Sequence, residues 1–249
     1  MSSRTRSPGR RKAILLLGLM LAFIVSIGAV SQSAFGALVD NGFESGTDGA
    51  SLVPPWVLSG SPQRYEYDNA QVKVGALSGW IKGPTTSAYA GVGESSSAGM
   101  TADTAELRFW AYFDSTNQYR RVYDASASND GRAFFLIFYN TGTINFTQGA
   151  AAPPAPYVNG NNNVIGTYTT GWTEFRIVMN FTNDTVQVSK RAAAGDPWTQ
   201  LKKTGAATYD IPMTTTSANV TQSHGTVLAA YQNANLWIDE VRYADGGMD

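Results

Sequence analysis

The chain has 249 residues, 43% hydrophobic and 12% aromatic, enough for one sizeable core after a leader but short for two. It has no cysteine, which excludes disulfides, thiolate metal sites and cysteine nucleophiles. With its basic head set aside, 13 Lys and Arg face 19 Asp and Glu, an acidic balance that argues against nucleic acid or an anionic membrane as partner.

The head comes first. Arg4, Arg6, Arg10, Arg11 and Lys12 precede an uncharged run, residues 13–30, and small residues follow at Ser31, Ser33, Ala34 and Gly36. That layout predicts a helical secretory signal over residues 1–36, and hence a secreted, extracellular or cell-surface protein. The apolar run is at the short end of a spanning helix, so an uncleaved anchor is the alternative. A membrane enters only through this segment. Arg10-Arg11 also raises twin-arginine export, weakened by the Lys12-Ala13 that follows.

Residues 38–249 are predicted to form a single domain. Leu38 and Val39 start a short strand, and Gly42, Gly46 and Gly49 punctuate the loop after it. Tyr65 and Tyr67 alternate with Glu66 and Asp68, as an edge strand would. Val72 and Val74 lead into a Gly-interrupted strand ending at Ile81, and residues 85–100 predict a loop or a weak edge. Residues 106–113, ELRFWAYF, predict a strong strand with Leu107, Phe109, Ala111 and Phe113 on one face. Residues 133–139, AFFLIFY, are apolar on both faces and belong in mid-sheet. Phe175, Ile177 and Met179 alternate through residues 171–180, Asn183-Asp184 turns the chain, and Val186 and Val188 alternate on its return. A last strand runs through residues 236–243. The expected class is all-β, a sandwich of two antiparallel sheets.

Phe43-Glu44-Ser45-Gly46, Trp56, Gly75-Ala76-Leu77-Ser78, the GWTEFRI stretch from Gly171, and Leu236-Trp237-Ile238-Asp239-Glu240-Val241 occur in that order. Together they resemble a concanavalin A-like (laminin G-like) jelly-roll domain of bacterial extracellular proteins, over nearly the whole chain after the leader. The same FE and IDEV bracket is also similar to galactose-binding jelly-roll modules, which are usually shorter in the middle. The resemblance implies architecture more than activity. It also implies a structural calcium held by Glu44 and Asp239. Asp40 and Asn41 supply further oxygen ligands nearby in sequence, and loop capping by hydrogen bonds is the alternative use of these side chains.

The first candidate ligand face is the other side of ELRFWAYF, with Glu106, Arg108, Trp110 and Tyr112, extended by Arg176 and Gln187 on the hairpin. Sugars stack C–H faces on aromatic rings and bond their hydroxyls to charged side chains. Burial of Trp110 and Tyr112 beneath a loop is the competing expectation. Tyr119, Arg120, Arg121 and Tyr123 form a second polar-aromatic cluster, expected at a sheet edge or rim and competing with an ordinary solvated edge, whereas Trp56, Trp172 and Trp237 are expected in the core. Catalytic signals are thin. Glu66-Tyr67-Asp68 lacks the third acid of a sandwich glycosidase, and Gln222-Ser223-His224 stands without the arginine-rich strand of a polysaccharide lyase. Four Asn-x-Thr sequons begin at Asn145, Asn180, Asn183 and Asn219. The expected function is therefore non-catalytic glycan binding, with a structural or adhesive surface protein, or a lyase or hydrolase, as alternatives.

Overall fold

A computed structural model describes residues 37–86, 88–95, 103–124, 133–148, 161–214 and 225–246. The expected signal helix, the Gln222 to His224 stretch and the Asn219 sequon lie outside the described residues. So does the side chain of Asp40. Among the described residues no helix is long and apolar enough to cross a membrane.

Among the described residues sixteen strands carry the fold. The first five are β1 (Ala37–Asn41), β2 (Trp56–Ser59), β3 (Arg64–Asp68), β4 (Ser78–Lys82) and β5 (Tyr89–Ser95). The middle adds β6 (Thr104–Phe113), β7 (Arg120–Asp124), β8 (Phe135–Phe138), β9 (Thr143–Gln148) and β10 (Asn161–Thr167). The remainder are β11 (Gly171–Asn180), β12 (Thr185–Arg191), β13 (Thr199–Leu201), β14 (Ile211–Pro212), β15 (Gly225–Tyr231) and β16 (Asn235–Asp245). They form two antiparallel sheets. One has nine strands along β13-β12-β11-β6-β16-β4-β3, with β1 on β16 and β14 on β12. The other has seven, in the order β10-β9-β8-β7-β15-β5-β2.

Alternation decides what the sheets bury. Leu107, Phe109, Ala111 and Phe113 of β6 and Phe175, Ile177 and Met179 of β11 face inward from the nine-stranded sheet. Val122, Leu136, Phe138, Ile144, Phe146 and Leu228 meet them from the seven-stranded one. Phe138 bridges the layers, its ring 5.0 Å from Phe113 and 5.2 Å from Phe175. Truncating a ring so placed costs about 3–5 kcal/mol. Arg120 also points inward and is fully buried. It donates to the carbonyls of Asn235 and Ser115 and to Asp114 Oδ1 and Gln118 Oε1. Burial pulls its pKa below the ordinary arginine value. It is a tie between strand ends.

The β11–β12 hairpin forms as expected, in continuous register from Glu174 opposite Arg191 to Asn180 opposite Thr185. Asp184 turns it with φ of 51°. β3 sits at the end of its sheet's strand path and β8 in mid-sheet, both as expected. Three segments differ. Residues 89–95 are the inner strand β5, between β15 and β2, rather than loop or edge. After Tyr89 its next outward positions are Gly91 and Gly93, which hide the alternation. A Cβ on Gly91 would lie 2.1 Å from the Leu228 carbonyl oxygen, so the close approach of β15 requires glycine there. The Gly-interrupted strand begins only at Ser78, so Gly75 to Leu77 stay in the loop that holds Val72 and Val74. And β7, which carries the Tyr119 to Tyr123 cluster, is the fourth strand of seven rather than an edge.

Candidate functional site

The structure brings Arg108, Trp110, Tyr112, Arg176 and Gln187 onto one surface, the outward face of the nine-stranded sheet. Their groups are largely engaged there. Glu106 is fully buried and accepts from Arg108 Nε at 2.5 Å, Arg176 Nε at 2.7 Å and Arg176 Nη2 at 2.9 Å. Hydrogen bonding to Glu106 holds the Arg176 guanidinium above its ordinary pKa. Trp110 is only 4% exposed, with Lys73 Nζ 4.1 Å above its ring. Lys73 comes from the loop of residues 69–77, so the covering-loop expectation holds for Trp110. Gln187 Nε2 donates to Asp210 Oδ1 at 2.8 Å.

Tyr112 belongs to a row of aromatics across four adjacent strands: Trp80, Trp237, Tyr112 and Trp172. Trp237 and Trp172 therefore lie on the outer face and not in the core, a correction that leaves Trp56, stacked on Phe43, as the core tryptophan. Trp80 and Trp237 stack on each other at 5.4 Å and 8°. Their facing surfaces are thus occupied, and their N–H groups go to Asn235 Oδ1 and Asp68 Oδ2. The row behaves as an outer clasp on the sheet.

The residues implied as calcium ligands do other work. Both oxygens of Glu44 accept from the backbone N–H of Ala76, and Oε1 also from Leu77. Asp239 Oδ2 accepts from Lys73 N and Val74 N, each at 3.0 Å, and Oδ1 from Glu240 N at 2.8 Å. Gly75, at φ of 75°, lies against Glu44 so closely that a Cβ would sit 2.2 Å from Oε1. FESG, GALS and IDEV are thus one device: two carboxylates pin the loop that covers Trp110. Backbone N–H donors and a cation compete for the same lone pairs, so Glu44 and Asp239 do not fit a calcium ligand set. Among the described residues no group of three or more His, Asp or Glu side chains is placed to hold a metal ion.

The outward face of the seven-stranded sheet is built differently. Four tyrosines cross four adjacent strands at one level: Tyr139 after β8, Tyr119 before β7, Tyr231 on β15 and Tyr89 on β5. Ring centroids are 5.3 Å apart for Tyr119 and Tyr139, 5.8 Å for Tyr119 and Tyr231, and 4.8 Å for Tyr89 and Tyr231. With strands about 4.8 Å apart, the row is roughly 15 Å long. The next level pairs Asn145, Ile137, Arg121, Ala229 and Gly91, directly opposite one another. The Arg121 guanidinium lies 4.0 Å from the Tyr89 ring and 5.2 Å from that of Tyr123. Small residues, Gly91, Gly93 and Ala229, leave low ground beside the tyrosines.

The hydroxyls of Tyr89, Tyr119 and Tyr231 make no hydrogen bond among the described residues, and all three side chains are half-buried. Burial pushes the Tyr89 phenol up, above the ordinary tyrosine value, so it remains a neutral donor and acceptor. Of the second cluster recognised in the sequence, Tyr119, Arg121 and Tyr123 lie on this face, whereas Arg120 faces inward and is fully buried. Nothing in the sequence marks Tyr89, Tyr139, Tyr231 and Asn145 as one surface, because they meet only when β5, β7, β8, β9 and β15 pair. The remaining catalytic string dissolves: Glu66 pairs with Arg64 at 2.6 Å, and Asp68 accepts the Trp237 indole N–H.

No family model matches the chain, and no curated protein matches it in sequence. Solved structures match it in three dimensions. A β-1,3-glucanase from Mycobacterium marinum superposes with a TM-score of 0.52 at 11% identity, over 83% of this chain and 98% of that one. The cellulose induced protein Cip1 gives 0.51 at 12% identity, over 84% of this chain and 97% of that one. A sialidase gives 0.47 at 14% identity, with this chain spanning 19% of its length. Identities this low establish fold alone, and that fold is the concanavalin A-like jelly roll.

Proposed function

We propose that the protein is an exported glycan-binding domain whose ligand lies across the outward face of the seven-stranded sheet. The observation that carries this reading is the tyrosine row: aromatic rings at successive strands, with three hydroxyls left unbonded among the described residues. A sugar chain needs both features, apolar ring faces for its C–H surfaces and hydroxyl groups for its own. The opposite face supports a scaffold role, since its charges neutralise one another and its tryptophans stack together. Hydrolysis would need two carboxyl groups flanking the bond. No outward position of β5, β7, β8, β9 or β15 is Asp or Glu, which favours binding over hydrolysis.

Affinity electrophoresis of the protein through a panel of polysaccharide gels tests the reading. Retardation in at least one gel is expected, weakened about tenfold by Tyr231→Ala, since an aromatic contact adds roughly 0.5–1.5 kcal/mol beyond its burial. Trp110→Ala should keep the binding while lowering stability. Unaltered mobility of the wild type in every gel would sink the proposal.

A further inference from the structure

We infer that this face takes a single dissolved, uncharged glycan chain over a few sugar units, and not the flat surface of a packed polysaccharide; the inference rests on the glycan-binding reading above. The ring planes carry it. Along the row they meet at 68° for Tyr119 and Tyr139, 83° for Tyr119 and Tyr231, and 46° for Tyr89 and Tyr231. A packed polysaccharide presents its sugar rings in one plane, and aromatic faces that dock on it must share a plane too. Neighbouring tyrosines here are turned well away from each other, so no flat surface meets all four rings face-on. A dissolved chain can rotate about its glycosidic bonds and offer each ring a sugar unit in its own orientation.

The ring orientations are set before a ligand arrives. Tyr119 makes edge-to-face contact with a tyrosine on each side, a geometry that aromatic rings favour. The Arg121 guanidinium lies 4.0 Å from the Tyr89 ring and steadies that end of the row. Rings already in place lose little freedom on binding. The unbonded hydroxyls of Tyr89, Tyr119 and Tyr231 are neutral groups that both donate and accept, as sugar hydroxyls do. Charge points the same way. Among the described outward positions of β5, β7, β8, β9 and β15, Arg121 is the only charged side chain. It is engaged with the rings of Tyr89 and Tyr123 and has a further contact besides. A carboxylate or ammonium group on the ligand would therefore be desolvated here without a partner, which is costly. Length follows from the strands: four rings across three spacings make a row of roughly 15 Å, a few sugar units long.

Titration calorimetry tests the dissolved chain, with laminarin, xyloglucan, galactomannan, polygalacturonate and carboxyl-reduced polygalacturonate as probes. Depletion of the protein onto crystalline cellulose and crystalline chitin tests the packed surface. At least one neutral polymer should bind, while both crystalline solids leave the protein in the supernatant. Oligosaccharides cut from that polymer should gain about tenfold in affinity from the disaccharide to the tetrasaccharide and then level off. Tyr119→Ala should remove most of that gain. Depletion by either crystalline solid would overturn the single-chain inference while leaving glycan binding intact. Affinity that keeps climbing beyond the hexasaccharide would overturn a site of this length. Polygalacturonate binding at least tenfold more tightly than its carboxyl-reduced form would overturn the uncharged ligand. No binding to any polymer, dissolved or crystalline, would overturn the glycan-binding reading itself. If Tyr119→Ala fails to fold, the oligosaccharide series on the wild type still decides.

Discussion

Replacing Glu106 by glutamine measures how tightly the outward face of the nine-stranded sheet is locked. The Glu106 side chain has no solvent exposure, while its partners Arg108 and Arg176 retain 18% and 33%. Breaking a buried ion pair from one side costs about 3–5 kcal/mol, because the surviving charge is left uncompensated. Both arginines can swing partly into water, and glutamine still accepts one hydrogen bond. The expected loss is therefore lower, roughly 2–3 kcal/mol. For a domain of this size that is a fall in Tm of about 5–10 °C. Urea unfolding followed by tryptophan fluorescence is the assay, with the midpoint shifted and the slope retained. Glycan affinity should not change. A stability loss below about 0.5 kcal/mol would refute the reasoning, since it would place the pair among ordinary surface salt bridges. Loss of glycan binding at full stability would return the site to this face.

Asp239 gives a pH signature. Burial pushes its carboxyl up to about 6, against the three backbone N–H groups it accepts. The folded state then holds the proton more tightly than the unfolded chain, so stability falls as pH rises from about 4 to about 6 and levels off above. The Tm of wild type should drop relative to Asp239→Asn across that window; a difference independent of pH would mean that the donors keep the carboxylate ionised. Chelation is a further check. A calcium present at a hundredfold its Kd would add ~2.7 kcal/mol, so EDTA should lower Tm by several degrees if Glu44 and Asp239 held one. No change is expected.

Elements with large alternating side chains were legible from the residues alone. β6, β8, β11 and β12 each place bulky apolar groups at every second position, and the core follows. β5 was not, because glycines follow Tyr89 at its next two outward positions and carry no pattern. The proposed ligand face was harder for a related reason. Trp110 and Tyr112 stand out in ELRFWAYF, yet their availability depends on the loop of residues 69–77 and on Glu106, partners that adjacency in sequence does not reveal. Tyr89, Tyr119, Tyr139 and Tyr231 look unremarkable apart and form a row only through strand pairing. Glu44 and Asp239 illustrate a third limit. A carboxylate at the start and another at the end of a sandwich suit a cation or a backbone cap equally well, and only the N–H groups of Lys73, Val74, Ala76 and Leu77 decide between them.

The choice between the two faces can be measured directly by mapping backbone amide chemical shifts while a bound polysaccharide fragment is titrated in. The largest shifts are expected at Tyr89, Arg121, Ala229 and Tyr231, on adjacent strands of the seven-stranded sheet, with Arg108, Tyr112 and Arg176 unmoved. Shifts concentrated at Arg108, Tyr112 and Arg176 would contradict the account.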